Sequence, residues 1–387
     1  MTALARNWPT SFADPRVIDV REKARRYVES DARPKGQAWE DAGTVPHDDF
    51  RLLGKLGLLG LCHPTEYGGA DLGPIASVTF AEEISRCGYS GMPEAVLIHT
   101  DMSSTHISHR GSDLLKRRYL PGMIAGDLIC GLAVTEPEAG SDAGALSTKA
   151  RRDGGSWILD GTKSYVTNAL HGDVFIVAAR TDPSARTGRA VSLFAVERST
   201  PGLAIRPMAP KHGMWSSDIA YLEFTDARIP QDALVGEENK GFYGIMENFQ
   251  NERLVLGAMC LGMGFEAIDV TLTFLKARRA FGATLWDKQA IRHRMAICVS
   301  RMKAVSALVR ETAIRVACAE DCVSEVSMVK ALAGETLQDV VRECLQFHGG
   351  AGYLQGAVVE RIGRDARLMT IGGGATEVML DEIARRL

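Results

Sequence analysis

The run Ala133-Val134-Thr135-Glu136-Pro137-Glu138-Ala139-Gly140-Ser141-Asp142-Ala143-Gly144-Ala145 sits between an apolar stretch and a clear β region. Its carboxylates (Glu136, Glu138, Asp142) and hydroxyls (Thr135, Ser141) stand where a core strand would carry apolar side chains. Gly140 and Gly144 let the backbone bend where a Cβ would clash, which brings main-chain N–H groups close to a ligand. Thr135, Ser141 and the exposed peptides supply donors for an acceptor-rich group. The same residue types also build an ordinary surface turn. The run acquires meaning from what flanks it.

Before it, from Pro15 to about Gly126, the pattern is helical. Val17, Val20, Ala24 and Val28 recur at helical spacing, as do Phe50, Leu53 and Leu56 ahead of the turn Glu66-Tyr67-Gly68-Gly69. Residues 76–87 and 114–124 read as further helices. After it, Trp157-Ile158-Leu159, 174–177, 191–196 and 219–224 are short β-rich runs. Gly154-Gly155, Gly161, Pro183 and Pro201-Gly202 separate them, predicting an antiparallel barrel or sandwich. From Gly241 long amphipathic segments near 241–278, 288–318 and 325–347 are suited to an antiparallel bundle. The expected fold is therefore α+β: an N-terminal helical domain (1–127), a central antiparallel β-barrel or sandwich (128–236) and a C-terminal four-helix bundle (237–387).

A chain of 387 residues exceeds one simple core. With 45% apolar and 24% charged residues it has ordinary globular composition, and a net charge of −3 predicts no attraction to nucleic acid or anionic membranes. No 18-residue apolar run suggests a membrane span. Residues 1–12 lack the basic and apolar regions of a secretion signal, so a cytoplasmic location is expected. The eight cysteines include no CxxC pair and read as free thiols in a reducing compartment, without a metal site. Cys318 and Cys322, four apart, would share a helix face. Gly262-Met263-Gly264 with Ala267 mimics a dinucleotide fingerprint, but no strand precedes it, which disfavours a Rossmann enzyme.

Four motifs in order resemble the acyl-CoA dehydrogenase family: Thr135-Glu136-Pro137-Glu138-Ala139-Gly140-Ser141-Asp142; Gly161-Thr162-Lys163-Ser164-Tyr165-Val166-Thr167-Asn168; Arg278-Arg279-Ala280-Phe281-Gly282 with Gln289; and Gln346-Phe347-His348-Gly349-Gly350-Ala351-Gly352-Tyr353. The resemblance implies FAD as cofactor and the same order of helical, β and helical domains. It implies that Leu132, Val134, Thr135, Tyr165 and Thr167 line the flavin ring, with Ser141 near both flavin and thioester. Arg278, Phe281, Gln289, Gln346, Gly349 and Gly350 would hold the diphosphate and adenine side of a flavin in the neighbouring subunit of a homotetramer. Arg278 suits phosphate oxygens, whereas Arg279 reads as a solvated neighbour. The Gly349-Gly350 pair would otherwise be a helix C-cap. Tyr165 stands where the family often has Trp.

The base that removes the α-proton of a thioester needs a carboxylate in a site dry enough to raise its pKa. Many members carry it in a Y-E-G-T segment after R-D-A. Here Arg364-Asp365-Ala366 leads to Ile371-Gly372-Gly373-Gly374-Ala375-Thr376-Glu377, with Gly373 where that Glu would be. Glu377 falls one helical turn late, at the flavin or in solvent. The isovaleryl- and long-chain-type members place the Glu instead in an E-R-[LM] segment, matched here by Glu252-Arg253-Leu254. A lone helical Glu is ordinarily a surface residue, but paired loss at 373 and gain at 252 makes Glu252 the expected base. Glu247 ranks behind it.

The resemblance then implies an FAD-dependent acyl-CoA dehydrogenase of medium/long or branched chains. Glu252 would take the α-proton while a β-hydride passes to flavin N5. Arg253, Tyr243, Ser141 and the room left at Gly373 would serve the substrate, and an electron-transfer flavoprotein would reoxidise the cofactor. The alternatives are a flavin oxidase of the same fold, disfavoured because such oxidases carry a further C-terminal domain, and an acyl-CoA-binding scaffold with lost chemistry. Gly356 and Ala375 depart from the family pattern and put local flavin packing in doubt.

Overall fold

A computed structural model describes residues 8–182, 184 and 190–387. Pro183, read above as a strand separator, and residues 1–7 lie outside them. Helix α1 (Pro15–Tyr27) starts where Asp14 Oδ1 accepts the Arg16 N–H, with proline in the first turn, and runs through a π-helical turn (Val28–Ala32) into α2 (Arg33–Ala42). Next come α3 (His47–Lys55), α4 (Gly73–Ile84), α5 (Gly91–Leu97), a π-helical segment (Ile98–Ser103), α6 (Ser104–Arg110) and α7 (Asp113–Ala125). Gly126 ends α7 in a left-handed turn, and a Cβ there would meet the Phe50 backbone at 2.3 Å, so only glycine lets α7 close on α3.

Eight strands follow: β1 (Cys130–Ala133), β2 (Lys149–Asp153), β3 (Ser156–Thr167), β4 (Val174–Arg180), β5 (Val191–Glu197), β6 (Leu203–Pro207), β7 (Ile219–Pro230) and β8 (Leu234–Val235). Their order is β6-β7-β3-β2-β4-β5-β8, with β1 alongside β4. This corrects the expected antiparallel barrel or sandwich: the sheet is mixed and does not close. β1 runs parallel to β4 from Cys130↔Val174 to Ala133↔Val177, and β2 meets β4 in parallel at Lys149↔Arg180. The physical reason shows in β4, Val174-Phe175-Ile176-Val177-Ala178-Ala179, which is buried on both faces instead of alternating. A strand covered on both sides accepts parallel partners.

The C-terminal region holds α8 (Gly241–Ala277), a β9 (Arg279–Ala280) and β10 (Ala283–Thr284) hairpin, α9 (Gln289–Ala317), α10 (Val323–His348), the short α11 (Gly350–Tyr353), α12 (Val358–Ala366) and α13 (Thr376–Ala384). Helices α8, α9 and α10 pack on one another, and α12 and α13 pack on α10 to complete the bundle. Helix α8 contains an 18-residue window of mean hydropathy 1.6, long and apolar enough to cross a membrane, but 78% of that window is buried inside the protein. Its apolarity is used in one core that unites α1 and α4 with α8, α9 and α10. Cys318 and Cys322 do not share a helix face: α9 stops at Ala317, leaving Cys318 exposed and Cys322 buried in the connection to α10.

Two neighbouring side chains on α12 join the three regions. Asp365 accepts the Met214 N–H at 2.6 Å and the Ser90 N–H at 3.2 Å. Arg364 Nη2 donates to both Glu40 carboxylate oxygens, at 3.0 and 2.9 Å, and the guanidinium lies 3.5 Å from the Trp215 ring centre. All three charged side chains are buried. Asp365→Ala strands two buried N–H donors, so unfolding by denaturant should show a loss of about 3 kcal/mol. A change within experimental error would show that the junction carries no stability.

Candidate active site

Helix α8 begins tight against the sheet: a Cβ on Gly241 would meet the Ser192 backbone at 2.8 Å. From there Phe242, Met246 and Phe249 form a stripe at helical spacing that packs on the cluster containing Val134, Ala139 and Ile107, beside Leu132. Tyr243 stands outside this stripe, 52% exposed, with the Lys240 ammonium 5.9 Å from its ring centre. The structure therefore does not put Tyr243 among the lining residues expected for it.

One turn along, Asn248 and Glu252 share the helix face that meets the π-helical segment 98–103. Asn248 Nδ2 donates to the Met102 carbonyl and to Glu252 Oε1, both at 2.9 Å, and Asn251 Nδ2 donates to the Asp101 carbonyl at 2.9 Å. Glu252 is only 4% exposed, and among the described residues no hydrogen bond holds its Oε2. Burial pushes its carboxyl up to about 8, against the opposing influence of the Asn248 hydrogen bond and the Arg253 charge. Glu247, by contrast, pairs with Arg110 at the surface.

The glycine turn after α12 closes on the same face. Gly373 has φ +65, and a Cβ there would lie 2.2 Å from Leu256 Cδ1. Leu256 is four residues beyond Glu252, so positions 252 and 373 converge on one face of α8. Lys330, buried on α10, pins the turn by donating to the Gly374 carbonyl, and burial lowers its ammonium to about 8. Neither Gly373 N–H nor Gly374 N–H has an acceptor among the described residues. Arg253 is buried with its Nε–H unpaired, beside Gly374 and 5.7 Å from the Phe249 ring centre. Glu377 lies exposed in the first turn of α13.

The run 133–145 is held from β3. Buried Lys163 donates to Glu136 at 2.7 Å and to the Val134 carbonyl at 3.1 Å. Burial pushes Glu136 up, but Lys163 and the donors of Ser147 and Thr148 more than reverse it, holding the carboxylate at about 2. The Ser164 N–H donates to the Thr135 carbonyl at 2.9 Å. A bulge between Lys163 and Val166 puts Tyr165 at φ +56 and turns it outward, 64% exposed. Val134 and Thr167 are buried, Leu132 and Thr135 half-buried, and Ser141 exposed.

The structure places the remaining residues elsewhere. Arg278 caps the far end of α8, 26 residues beyond Glu252, or roughly 40 Å along the helix axis. Phe281 (φ +53, 92% exposed) and Gln289 at the start of α9 follow it, and the end of α10, with Gln346, Gly349 and Gly350, comes to the same end of α8, where the Phe274 and His348 rings stack at 4.2 Å. Arg278, Gln289 and Gln346 are all exposed. Two surface clefts, one around Arg33 and Glu266 and one around Arg118 and Glu197, contain no residue of either group. No three His, Cys, Asp or Glu side chains among the described residues are grouped to hold a metal.

With this geometry in place, comparison with known proteins identifies the class. The chain matches the acyl-CoA dehydrogenase N-terminal domain over residues 16–127, the middle domain over 131–227 and the C-terminal domain over 239–387. The chain belongs to the acyl-CoA dehydrogenase family and is an oxidoreductase. It is 36% identical to the long-chain specific acyl-CoA dehydrogenase of Sus scrofa, over 95% of this chain and 85% of that protein. It is 33% identical to the isovaleryl-CoA dehydrogenase of Pongo abelii, over 93% and 85%. A probable acyl-CoA dehydrogenase from Mycobacterium abscessus superposes with a TM-score of 0.94 at 35% identity, covering 97% of this chain and all of that one.

The family is FAD-dependent, and the residues present fit that cofactor. Tyr165 offers an exposed aromatic face beside the 133–145 loop, Ser164 Oγ is buried without a partner, and Arg278 and Phe281 present an open cation and an open ring. Asn248 and Lys330 escaped the sequence reading. An Asn four residues before a candidate Glu is a signal that could have marked the first. Nothing in sequence marks Lys330 as buried.

Burial of Glu252 carries a stability signature. Its folded pKa of about 8 exceeds the ordinary 4.5, so between those values the native protein keeps a proton that the unfolded chain has released. Stability therefore falls as pH rises through that window, by an amount on the order of a few kcal/mol. Glu252→Gln should match the wild-type melting temperature near pH 4 and exceed it by pH 8. Parallel curves would contradict the burial.

Proposed function

We propose that this chain dehydrogenates acyl-CoA thioesters of medium/long or branched chain at the Cα–Cβ bond, with Glu252 as the base for the α-proton. The observation that carries the reading is a buried carboxyl with one oxygen tethered, one helical turn before Leu256, against which the Gly373 turn packs. A carboxyl held near pKa 8 is a competent base close to neutral pH. Keeping it buried costs stability, which a non-catalytic scaffold has no reason to bear.

The chain's own groups divide the work. The Gly373 and Gly374 N–H groups orient the thioester carbonyl and favour negative charge on its oxygen as the α-proton leaves. Glu252 Oε2 receives that proton. FAD, when bound, supplies the hydride acceptor for the β-carbon. The stripe Phe242, Met246 and Phe249 excludes water and offers apolar surface to the acyl chain. The room expected at Gly373 is not open, because Leu256 Cδ1 stands where its Cβ would be, so the chain class rests on likeness to long-chain and branched-chain relatives. The Arg278 group, too far from Glu252 to serve the same cofactor, completes the flavin site of a neighbouring copy in a homotetramer. Reoxidation by an electron-transfer flavoprotein follows the family's habit.

Anaerobic titration of the holoenzyme with straight and branched acyl-CoAs tests this reading. One chain class should bleach the flavin absorbance, and Glu252→Gln should bind that thioester yet bleach it at least about 100-fold more slowly. Wild-type rates in the variant would place the base elsewhere, and a flavin that no thioester bleaches would favour the scaffold. Because kcat/KM reports the free enzyme, it should rise with pH and level off above about 8.

A further inference from the structure

Asn248 has a chemistry that the reaction scheme does not yet use. Its amide carries two N–H bonds and both are committed, one to the Met102 carbonyl and one to Glu252 Oε1, each at 2.9 Å. Because both acceptors are oxygens, reversing the amide would set Oδ1 against them, so the orientation is determined by the partners. Oδ1 itself is buried without a donor. A side chain that leaves one of its own atoms unsatisfied in order to bridge a fixed carbonyl and a carboxyl is spending hydrogen-bonding capacity on that bridge.

We infer that Asn248 is the positioning residue for Glu252, anchoring the carboxyl through Oε1 to the Met102 backbone and leaving Oε2 as the oxygen that takes the proton. The inference rests on Glu252 being the base. Its second consequence concerns charge. The ionisable groups around the carboxyl are Arg253 on α8, Asp101 from the 98–103 segment and Lys330 from α10, with Glu377, Glu382 and Arg386 of the C-terminal segment beyond Arg253. Asp101 is turned toward Ser77, which donates to it at 2.5 Å. Of all these only Arg253 acts appreciably on Glu252, and less than the Asn248 hydrogen bond does. Asn248 is thus the main group that favours the ionised base against burial.

The competing explanation is a tie between α8 and the 98–103 segment with no bearing on the base. Asn251 provides the control, because it makes the same kind of tie to the Asp101 carbonyl without touching Glu252. Asn248→Ala, Asn248→Asp, Asn251→Ala and Glu252→Gln holoenzymes should be compared by infrared titration of the protonated-carboxyl band that Glu252→Gln lacks, and by kcat/KM against pH. Asn248→Ala should raise both midpoints by about one pH unit, lowering kcat/KM at pH 7 about tenfold with recovery at high pH. Asn248→Asp keeps the shape, places a second carboxyl beside the first, and should move the midpoints further. Asn251→Ala should leave them unmoved even where its melting temperature falls.

An unshifted infrared midpoint in Asn248→Ala, alongside an inactive Glu252→Gln, overturns this inference alone. Full turnover by Glu252→Gln removes the base assignment and the inference with it.

Discussion

Asp365, buried on α12, ties Ser90 and Met214 to the C-terminal bundle, and the geometry around Glu252 depends on that tie. Ser90 immediately precedes α5, which leads directly into the π-helical segment 98–103 whose Asp101 and Met102 carbonyls receive Asn251 and Asn248. On the other side, the glycine turn at 372–374 follows α12 by only a few residues and is pinned again by Lys330. The two walls of the site therefore both descend from one short helix. Movement at Asp365 would separate the carbonyl that anchors Asn248 from the turn that packs on Leu256. Arg364 reinforces the arrangement through Glu40, with Glu360 and the Trp215 ring as its further partners.

Helix α8 turns a structural necessity into a chemical one. Its middle is apolar on nearly every side because it fills the core shared by the N-terminal helices and the bundle. A carboxyl placed on such a helix loses water, and its proton affinity rises without any dedicated neighbour. The same length separates Glu252 from Arg278 by roughly 40 Å along the helix axis. Core packing and the raised proton affinity of Glu252 thus share one element.

The long C-terminal helices were legible because a 3.6-residue pattern sustained over many turns is hard to mistake. The expected 288–318 and 325–347 correspond to Gln289–Ala317 and Val323–His348. The sheet was less legible. Lys149-Ala150-Arg151-Arg152-Asp153 carries no strand pattern, and the parallel pairing of β1 with β4 is a non-local choice that no local signal announces. Position 252 was singled out in the sequence by its exchange with Gly373, and the structure sets the Gly373 turn against Leu256, one turn beyond Glu252 on α8. Asn248 was not visible, since an Asn on an amphipathic helix reads as solvent-facing until its neighbours are known. Lys163 shows the reverse: a charge inside a strand is explained only by the Glu136 carboxylate it meets in the interior.

The most direct test isolates proton removal from oxidation. A substrate analogue with sulfur in place of the β-carbon cannot give up a β-hydride but retains its acidic α-hydrogens. Incubated with the holoenzyme in deuterated water, it should exchange its α-hydrogen for deuterium, and Glu252→Gln should bind it without exchange. Equal exchange by the two proteins would show that another group removes the proton and that Glu252 is not the base.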